Sequence, residues 1–422
     1  ISLSPTGEYI AVSVPQGDRT ILAAFRAADM TLVGKWDYGD KKHIESVRWV
    51  SNDRFLMYVT LKSGRLDQRS IVSDVFASNV DGTKRIDIPN GAYYSFVSTL
   101  WEDPSNVLVQ RSFDRTNLFK LNVYTGEFRP VMTAPLDSGR FLVDYEGNVR
   151  YAAGQQEDLE EQTLRRDGDK WTVIHRSNAK GGERQPIAIT RDNKDVIFAV
   201  SDAGEPMRLV RQDAESGKET LLAKNPKVNP SDYLVSSDGL EILAVEYTDG
   251  TPEYQFINKE HPESKLYAGL MNAFPDHMVS FYGISRDGRF VLFRTYSDVD
   301  PGSYYLFDRD QGKAKFLLAA MDWIKPEQMS PMRPISLKAR DGTELQGYLT
   351  VPAGSSGKNL PMILHPHGGP FGIRDSWGFD PTVQFLASRG YAVLQLNFRG
   401  SGGYGSAFIE KGYKKWGTEL ID

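Results

Sequence analysis

Residues Pro361-Met362-Ile363-Leu364 run directly into His365-Pro366-His367-Gly368-Gly369-Pro370, and Tyr391–Asn397 runs into Phe398-Arg399-Gly400-Ser401-Gly402-Gly403-Tyr404-Gly405. Both stretches combine a short apolar run, typical of a buried strand, with a glycine-rich turn. Between them, Thr382–Arg389 is amphipathic and is followed by Gly390, which predicts a helix with a glycine stop. The order strand, helix, strand predicts a parallel sheet with helices on its faces.

The chain on either side of these stretches extends the prediction. Ile335–Ala339 and Glu344–Val351 flank Arg340-Asp341-Gly342-Thr343, and Asp-Gly between two alternating runs is a strong hairpin signal. Ala407–Trp416 has the pattern of a further helix. Prolines at positions 326, 331 and 334 punctuate the segment before the hairpin. We therefore expect a linker over residues 324–334 and an α/β domain over residues 335–422.

A polar turn rich in Ser, Asp, Asn and Gly recurs through the first 323 residues and separates two apolar runs each time. The turns are marked by residues 4, 51, 102, 145, 191, 237 and 286, so their spacings are 47, 51, 43, 46, 46 and 49 residues. Turn residues of this kind join antiparallel strands. The apolar runs that follow the turns include Tyr9–Val14, Phe55–Thr60, Val107–Gln110, Val196–Val200, Ile242–Tyr247 and Phe290–Thr295.

The length of the repeat indicates the architecture. Two further strands follow in most units, as in Ser303–Asp308 and Ala314–Leu318. Four strands in roughly 47 residues is the size of one β-propeller blade. Seven markers therefore predict an all-β, seven-bladed propeller over residues 1–323. A large β-sandwich array is the alternative, and the even spacing favours the propeller.

Composition excludes several classes of protein. The net charge is −5 with 25% charged residues, which gives no reason to expect a nucleic-acid partner. The chain has no cysteine, so disulfides, thiolate catalysis and cysteine-bound metals are excluded within it. No apolar run reaches the roughly 18 residues of a membrane span. Because the chain opens at Ile1 within an alternating run, we expect residues before it.

The combined pattern resembles the prolyl oligopeptidase-type serine peptidases, in their acylaminoacyl-peptidase and dipeptidyl-peptidase branch. The residues that carry the resemblance are His367-Gly368-Gly369-Pro370, Asn397 to Gly405, and Trp416-Gly417. In that family a seven-bladed propeller precedes and caps an α/β-hydrolase domain, so residues 335–422 would be the N-terminal part of such a domain. The chain contains no G-x-S-x-G motif and no histidine after His367. We therefore expect the catalytic Ser, Asp and His after Asp422.

The resemblance also implies roles for individual residues. The backbone N–H of Gly369 would be one oxyanion-hole donor, with Gly368 supporting the turn; alternatively, the two glycines only permit a tight turn. Phe371 would border the substrate pocket, or simply pack. Arg399 would bind a substrate carboxylate, or bridge loop carbonyls or a carboxylate near the glycine-rich turn. For His365 and His367 we expect structural hydrogen bonds rather than metal binding or catalysis.

These residues lead to a functional expectation for the parent protein. It would hydrolyse short peptides through an acyl-enzyme, as an exopeptidase or oligopeptidase, while the 422-residue chain alone would be inactive. An esterase on the same scaffold, or a non-catalytic binding propeller with a degenerate hydrolase domain, are the alternatives. No metal, organic cofactor, nucleic acid or membrane is implied, and the oligomeric state is open. An exposed sheet edge predicts aggregation or an associated C-terminal catalytic fragment, and the resemblance favours a bacterial periplasm or cytoplasm.

Overall fold

The protein is described by a computed structural model that covers residues 1–62, 69–113, 115–156, 160–177, 182–369 and 371–420. Pro370 of the predicted glycine turn lies outside these ranges. No helix within them is both long and apolar enough to cross a bilayer.

Consecutive strands of the first part of the chain form small antiparallel sheets, here called blades. Blades 1 and 2 share one extended sheet, because a single parallel bridge joins Thr20 of the first to His43 of the second. The strands of blade 1 are β1 Ser2–Leu3, β2 Tyr9–Gln16, β3 Arg19–Arg26 and β4 Leu32–Trp36. Those of blade 2 are β5 Lys42–Trp49, β6 Arg54–Lys62, β7 Arg69–Asn79 and β8 Ile86–Asp87.

Blades 3, 4 and 5 are separate four-stranded sheets. Blade 3, which follows a 3-10 turn at Gly91–Tyr93, contains β9 Ser95–Thr99, β10 Asn106–Phe113, β11 Arg115–Asn122 and β12 Phe128–Thr133. Blade 4 contains β13 Ser138–Val143, β14 Val149–Gln155, β15 Glu161–Asp167 and β16 Lys170–Ser177. Blade 5 contains β17 Arg184–Ile189, β18 Asp195–Val200, β19 Arg208–Asp213 and β20 Glu219–Lys224.

Blade 6 differs from the others because it has three strands, and a helix follows them in the chain. Its strands are β21 Pro230–Val235, β22 Ile242–Asp249 and β23 Thr251–Phe256, and the helix is α1 Pro262–Asn272. Helix α1 packs against β22 and against the first strand of blade 7. Blade 7 contains β24 Met278–Ile284, β25 Phe290–Tyr296, β26 Ser303–Asp308 and β27 Lys313–Ala319.

The polar turns predicted from the repeat join the first and second strands of the blades. In the last of them, Gly288 adopts a positive φ of 70°, and Asp287 Oδ1 accepts a hydrogen bond from Arg289 N at 3.0 Å. Blade 6 repeats this arrangement, since Asp238 Oδ1 accepts from Ser236 Oγ at 2.6 Å and from Leu240 N at 3.1 Å. Short polar side chains that bond to nearby backbone explain why Ser, Asp and Gly recur at these positions.

Seven clusters of buried apolar residues fill the spaces between the blades, one between each neighbouring pair. The seventh cluster joins blade 7 to blade 1 through Leu3, Ile10, Leu292 and Leu306. The first strand β13 contacts the first strands β9 and β17 of the neighbouring blades, and β1 contacts β24, as expected where the first strand of each blade lies nearest the axis. The ring of seven blades is therefore closed, and the predicted seven-bladed propeller is confirmed.

The remaining residues form a mixed sheet with two helices. Its elements are β28 Met332–Lys338, β29 Glu344–Thr350, β30 Met362–Leu364, α2 Pro381–Ser388, β31 Ala392–Asn397 and α3 Ser406–Glu410, after a 3-10 turn at Pro326–Gln328. The sheet order is β28-β29-β31-β30. Strands β30 and β31 are parallel, as the strand–helix–strand pattern predicts, whereas the hairpin adds β28 and β29 in antiparallel orientation.

The last helix is shorter than the sequence predicts. Helix α3 ends at Glu410, whereas the pattern of Ala407–Trp416 indicates a helix that ends six residues later. The backbone of Gly412 lies against Gly400 and the ring of Phe371, and Lys414 adopts a left-handed φ of 59°. A left-handed residue cannot continue a right-handed helix, so the chain turns here.

Candidate oxyanion loop

Two loops leave the sheet side by side. The first follows β30 and the second follows β31, and because these strands are parallel the loops emerge at the same edge. His365 N donates to Leu394 O at 2.8 Å, which extends the pairing of the two strands to the start of the first loop. Residues 365–369 and 398–405, which carry the family resemblance, therefore lie together.

The imidazole of His367 connects the two loops by hydrogen bonds and ring stacking. Its Nδ1 lies 2.7 Å from Gly368 O and its Nε2 lies 2.9 Å from Ser401 Oγ. A carbonyl oxygen can only accept, so Nδ1 donates to Gly368, and Nε2 of the neutral ring accepts from the Ser401 hydroxyl. The ring also stacks on Phe398 at 4.5 Å with an interplanar angle of 17°. The expectation of structural hydrogen bonds for His367 agrees with these contacts.

These contacts fix the direction of one peptide group. In a trans peptide the carbonyl of Gly368 and the N–H of Gly369 point in opposite directions. Because the carbonyl is held toward the imidazole, the Gly369 N–H points away from it. Among the described residues, no acceptor lies within hydrogen-bond distance of this N–H. Gly369 has a φ of 147°, and a Cβ here would lie 3.2 Å from Phe371 N, so the site favours glycine.

An apolar cavity of about 650 Å³ adjoins the loop. Gly369, His367 and Arg399 line it, together with leucines at positions 337, 345, 364, 394, 396 and 420. Gly368 and Phe371 are not among its lining residues. The structure therefore brings Gly369 and Arg399 to one cavity and places Phe371 outside it.

Arg399 is buried, with 4% of its surface exposed, and it forms an ion pair with Asp341. Its Nη2 lies 3.1 Å from Asp341 Oδ1, in the turn of the β28–β29 hairpin. Hydrogen bonds from Thr343 and the nearby guanidinium lower the pKa of the Asp341 carboxyl. Arg399 thus joins the glycine-rich turn to the hairpin, as one of the two sequence alternatives describes, and its substrate-binding role stays a prediction.

Phe371 packs in an aromatic group beside the loop. Its ring makes an edge-to-face contact with Tyr413 at 4.9 Å, and Trp416 lies 6.3 Å away. Both partners are largely exposed, at 46% and 68%. The turn that replaces the predicted end of helix α3 supplies these two rings, so their proximity to Phe371 depends on a local structure that the sequence pattern did not indicate.

A buried polar network behind the loops was missed by sequence reasoning. Asn397 Oδ1 accepts from Asp375 N at 2.7 Å, and its Nδ2 donates to Asp375 O and to Tyr404 Oη at 3.1 and 2.8 Å. Gln395 Nε2 donates to Asp375 Oδ1 at 3.2 Å. Burial raises the pKa of the Asp375 carboxyl, although His367 and Gln395 oppose the shift. Polar residues within an otherwise apolar strand, here Gln395 and Asn397, were the available signal.

Direct hydrogen bonds attach this region to blades 5, 6 and 7. Arg374 Nη2 donates to Thr248 O at 2.6 Å, and Tyr348 Oη donates to Gly250 O at 2.9 Å. The glycine-rich turn also takes part, because Asn229 N donates to Gly403 O at 2.8 Å. Gln384 of helix α2 donates to Asp298 O at 3.1 Å. The propeller therefore supports the loop that carries Arg399 and Ser401.

Comparison with known proteins agrees with the motifs and the architecture. The model of the prolyl oligopeptidase family matches residues 377–422. Dipeptidyl aminopeptidase BIII of Pseudoxanthomonas mexicana is 26% identical over 333 residues, which cover 76% of this chain and 48% of that protein. Dipeptidyl peptidase family member 6 of Caenorhabditis elegans is 25% identical over 339 residues, which cover 72% and 45%. The chain therefore spans about half the length of these relatives.

A solved structure shows the same fold. Prolyl oligopeptidase B from Galerina marginata superposes with a TM-score of 0.69 at 12% sequence identity, over 100% of this chain and 64% of that chain. At this identity the superposition establishes the fold, whereas the family model and the two relatives concern the sequence itself. In its loop motifs, its propeller and these similarities, the chain resembles the proteins of the prolyl oligopeptidase family.

Proposed function

We propose that the whole protein is a serine peptidase that hydrolyses short peptides through an acyl-enzyme, as an exopeptidase or oligopeptidase. The observation that carries the proposal is the Gly369 N–H, which donates no hydrogen bond to any described residue and lies in a loop that is held by His367. Acyl transfer develops negative charge on the carbonyl oxygen, and a preorganised N–H donor stabilises that charge. The match of residues 377–422 to the family model and the peptidase names of the relatives support the same reaction.

The proposal assigns roles to the parts of the chain. Residues 1–323 form the propeller, residues 324–334 the linker and residues 335–422 the first part of the peptidase domain. The catalytic Ser, Asp and His would come from residues outside these 422. Strand β30 is at the sheet edge with Met362 and Leu364 exposed at 60% and 55%, which favours packing of the remaining peptidase residues there, in the same chain or as an associated fragment.

The test is substitution of Gly369 by alanine in the full-length protein. The methyl group is unfavourable at this φ and crowds Phe371 N, so the N–H moves from its position. Loss of one oxyanion donor typically costs about 10²–10³ in kcat. We expect a loss of this size, with little change in KM, for dipeptide and acylated amino-acid nitroanilides.

A matched control and a second substrate sharpen this test. Gly269→Ala changes a glycine of helix α1 that has open space around its Cα, and we expect unchanged kcat. A short-chain ester measured in parallel distinguishes a peptidase from an esterase. Wild-type kcat in Gly369→Ala would contradict the role of the loop, and absence of all acyl hydrolysis by the full-length protein would contradict the proposed function.

A further inference from the structure

The two ends of the propeller differ in what covers them. Residues 335–422 are here called the peptidase region. The loops between second and third strands of the blades carry Gly204, Gly250 and Asp298, which form hydrogen bonds with Ser406, Tyr348 and Gln384 of this region. The turns between first and second strands lie at the opposite end, because successive strands of a blade are antiparallel. These are the polar turns that mark the sequence repeat. They form the mouth of the axial channel that is farthest from the peptidase region, here called the far mouth.

One side chain crosses the far mouth. Arg286, in the turn of blade 7, donates from Nη2 to Tyr145 Oη of blade 4 at 3.0 Å. Its guanidinium carbon also lies 4.6 Å from the ring centre of Trp101, in the turn of blade 3. In a closed ring of seven, blades 3 and 4 lie opposite blade 7. A contact between them and Arg286 therefore spans the axis.

Both ends of this bridge are held by neighbouring turns. Arg286 N donates to Pro5 O of blade 1 at 2.8 Å, which fixes the backbone from which the side chain extends. On the other side, Arg191 of blade 5 lies over the ring of Tyr145 at 5.3 Å. Arg191 in turn lies 3.8 Å from Asp238 of blade 6. Cation–π contacts and hydrogen bonds of this kind stabilise a defined side-chain position.

The opposite end of the propeller carries a recess. A recess of about 570 Å³ lies where the first strands of blades 3, 4 and 5 begin, at the end that faces the peptidase region. Ser95, Ser138 and Arg140 line it, and all three are exposed. Arg140 has no acidic partner among the described residues. The recess therefore opens at the end of the propeller that faces the peptidase region.

We propose that Arg286, with Trp101 and Tyr145, closes the far mouth, so that solutes of peptide size reach the interior of the propeller only from the end facing the peptidase region. This closure is a property of the ring and is independent of the proposed function. Its consequence for substrate selection rests on the proposed function: peptides would be selected where the two regions meet, and the axial channel would not be a route.

Chemical labelling tests the closure without any need for catalysis. The chain has no cysteine, so Ser46→Cys places a reporter thiol on the exposed face of β5, the first strand of blade 2. In the full-length protein, the rate of its modification by a polyethylene-glycol maleimide is compared with and without Arg286→Ala, after subtraction of labelling in the protein that lacks the reporter. Removal of Arg286 makes the minor open population of the far mouth the permanent state. This adds a second route to the entry from the end facing the peptidase region, so the labelling rate should rise by roughly twofold or more.

Two further variants keep the test decisive. Arg309→Ala removes another exposed arginine of blade 7, for which the described part of the chain contains no side-chain partner across the mouth, and it should leave the rate unchanged. Tyr145→Phe keeps the ring and removes only the hydroxyl acceptor of Arg286, so it should give a smaller acceleration even where Arg286→Ala disturbs folding. Equal labelling rates in the reporter protein, its Arg286→Ala form and its Tyr145→Phe form would overturn the proposal.

Discussion

The propeller and the peptidase region differ in how their apolar surface is covered. Each apolar blade face meets the next blade, and the seven clusters between blades leave the ring closed on itself. The peptidase region instead presents an edge strand with Met362 and Leu364 exposed and a leucine-lined cavity beside it. The propeller is stabilised by its own repeated packing, whereas the sheet of the peptidase region leaves apolar side chains of its edge strand exposed.

The same contrast holds for what fixes atomic positions. In the propeller, a residue such as Phe55 is held by rings on several sides, including Trp36 and Trp49 at 5.1 Å each. In the peptidase region, the Gly369 loop is held by three contacts of His367. In the propeller many packed atoms hold each buried side chain, so we expect mutation of a buried residue to lower the free energy of unfolding. In the loop a few contacts of His367 hold the backbone, so we expect their loss to displace the Gly369 N–H.

The largest expected effect is on propeller stability. Phe55 is fully buried, and Phe55→Ala should lower the free energy of unfolding by about 3–5 kcal/mol through lost burial and the cavity left behind. In the 422-residue chain, Met362→Ala should change it by less than about 0.5 kcal/mol, because the side chain is 60% exposed. Urea unfolding followed by tryptophan fluorescence measures both. Similar losses of unfolding free energy in the two variants would contradict the difference drawn here between buried and exposed apolar side chains.

An intermediate effect is expected at the loop. His367→Ala removes both hydrogen bonds and the stacking on Phe398, so the Gly369 N–H loses its fixed direction. In the full-length protein kcat should fall by about 10–100-fold, less than for direct loss of the donor, with KM and the melting temperature little changed. Ser401→Ala removes one of the three contacts and should cost less than His367→Ala. A fall in melting temperature that accounts for the lost activity would show instead that His367 acts through stability.

The smallest effect concerns the buried carboxyl of Asp375. Because burial raises its pKa above the unfolded value, the folded state favours the protonated form. The stability that protonation supplies is complete below the unfolded pKa and is lost as the pH rises through the folded pKa. Asp375→Asn cannot ionise, so its melting temperature relative to wild type should increase between pH 4 and pH 8. A difference that is independent of pH, or that falls with rising pH, would contradict this assignment.

Much of the fold follows from local pattern, and the exceptions have physical causes. The turns at Ser236–Gly239 and Ser285–Gly288 are encoded by side chains that bond to backbone two or three residues away, so their sequence suffices to place them. The end of α3 is different. Ala407–Trp416 has helical periodicity, but close contact of Gly412 with Gly400 and Phe371 forces a turn that no property of the segment itself indicates.

The candidate site divides in the same way. Glycines 368 and 369, which follow strand β30, were identified by motif, because a backbone position that needs to lack a Cβ is occupied by glycine. The network of Asp375, Gln395 and Asn397 was missed, since it joins residues about 20 positions apart whose side chains are polar for several ordinary reasons. The partner of Arg399, Asp341, lies 58 residues away and was predicted only as an unspecified carboxylate.

The sequence by itself determined the number of blades, the order of strands around the two loops and the residue types at the proposed oxyanion donor. These features depend on alternation, turn chemistry and glycine, which act over a few neighbouring residues. Only the tertiary structure decided three hydrogen bonds between distant residues. Arg286 bonds to Tyr145, 141 residues away, and Arg374 bonds to Thr248, 126 residues away. His367 bonds to Ser401. Such contacts depend on how the closed ring and the sheet place side chains that are far apart in the chain. No local pattern of residues in the sequence indicates which of these side chains meet.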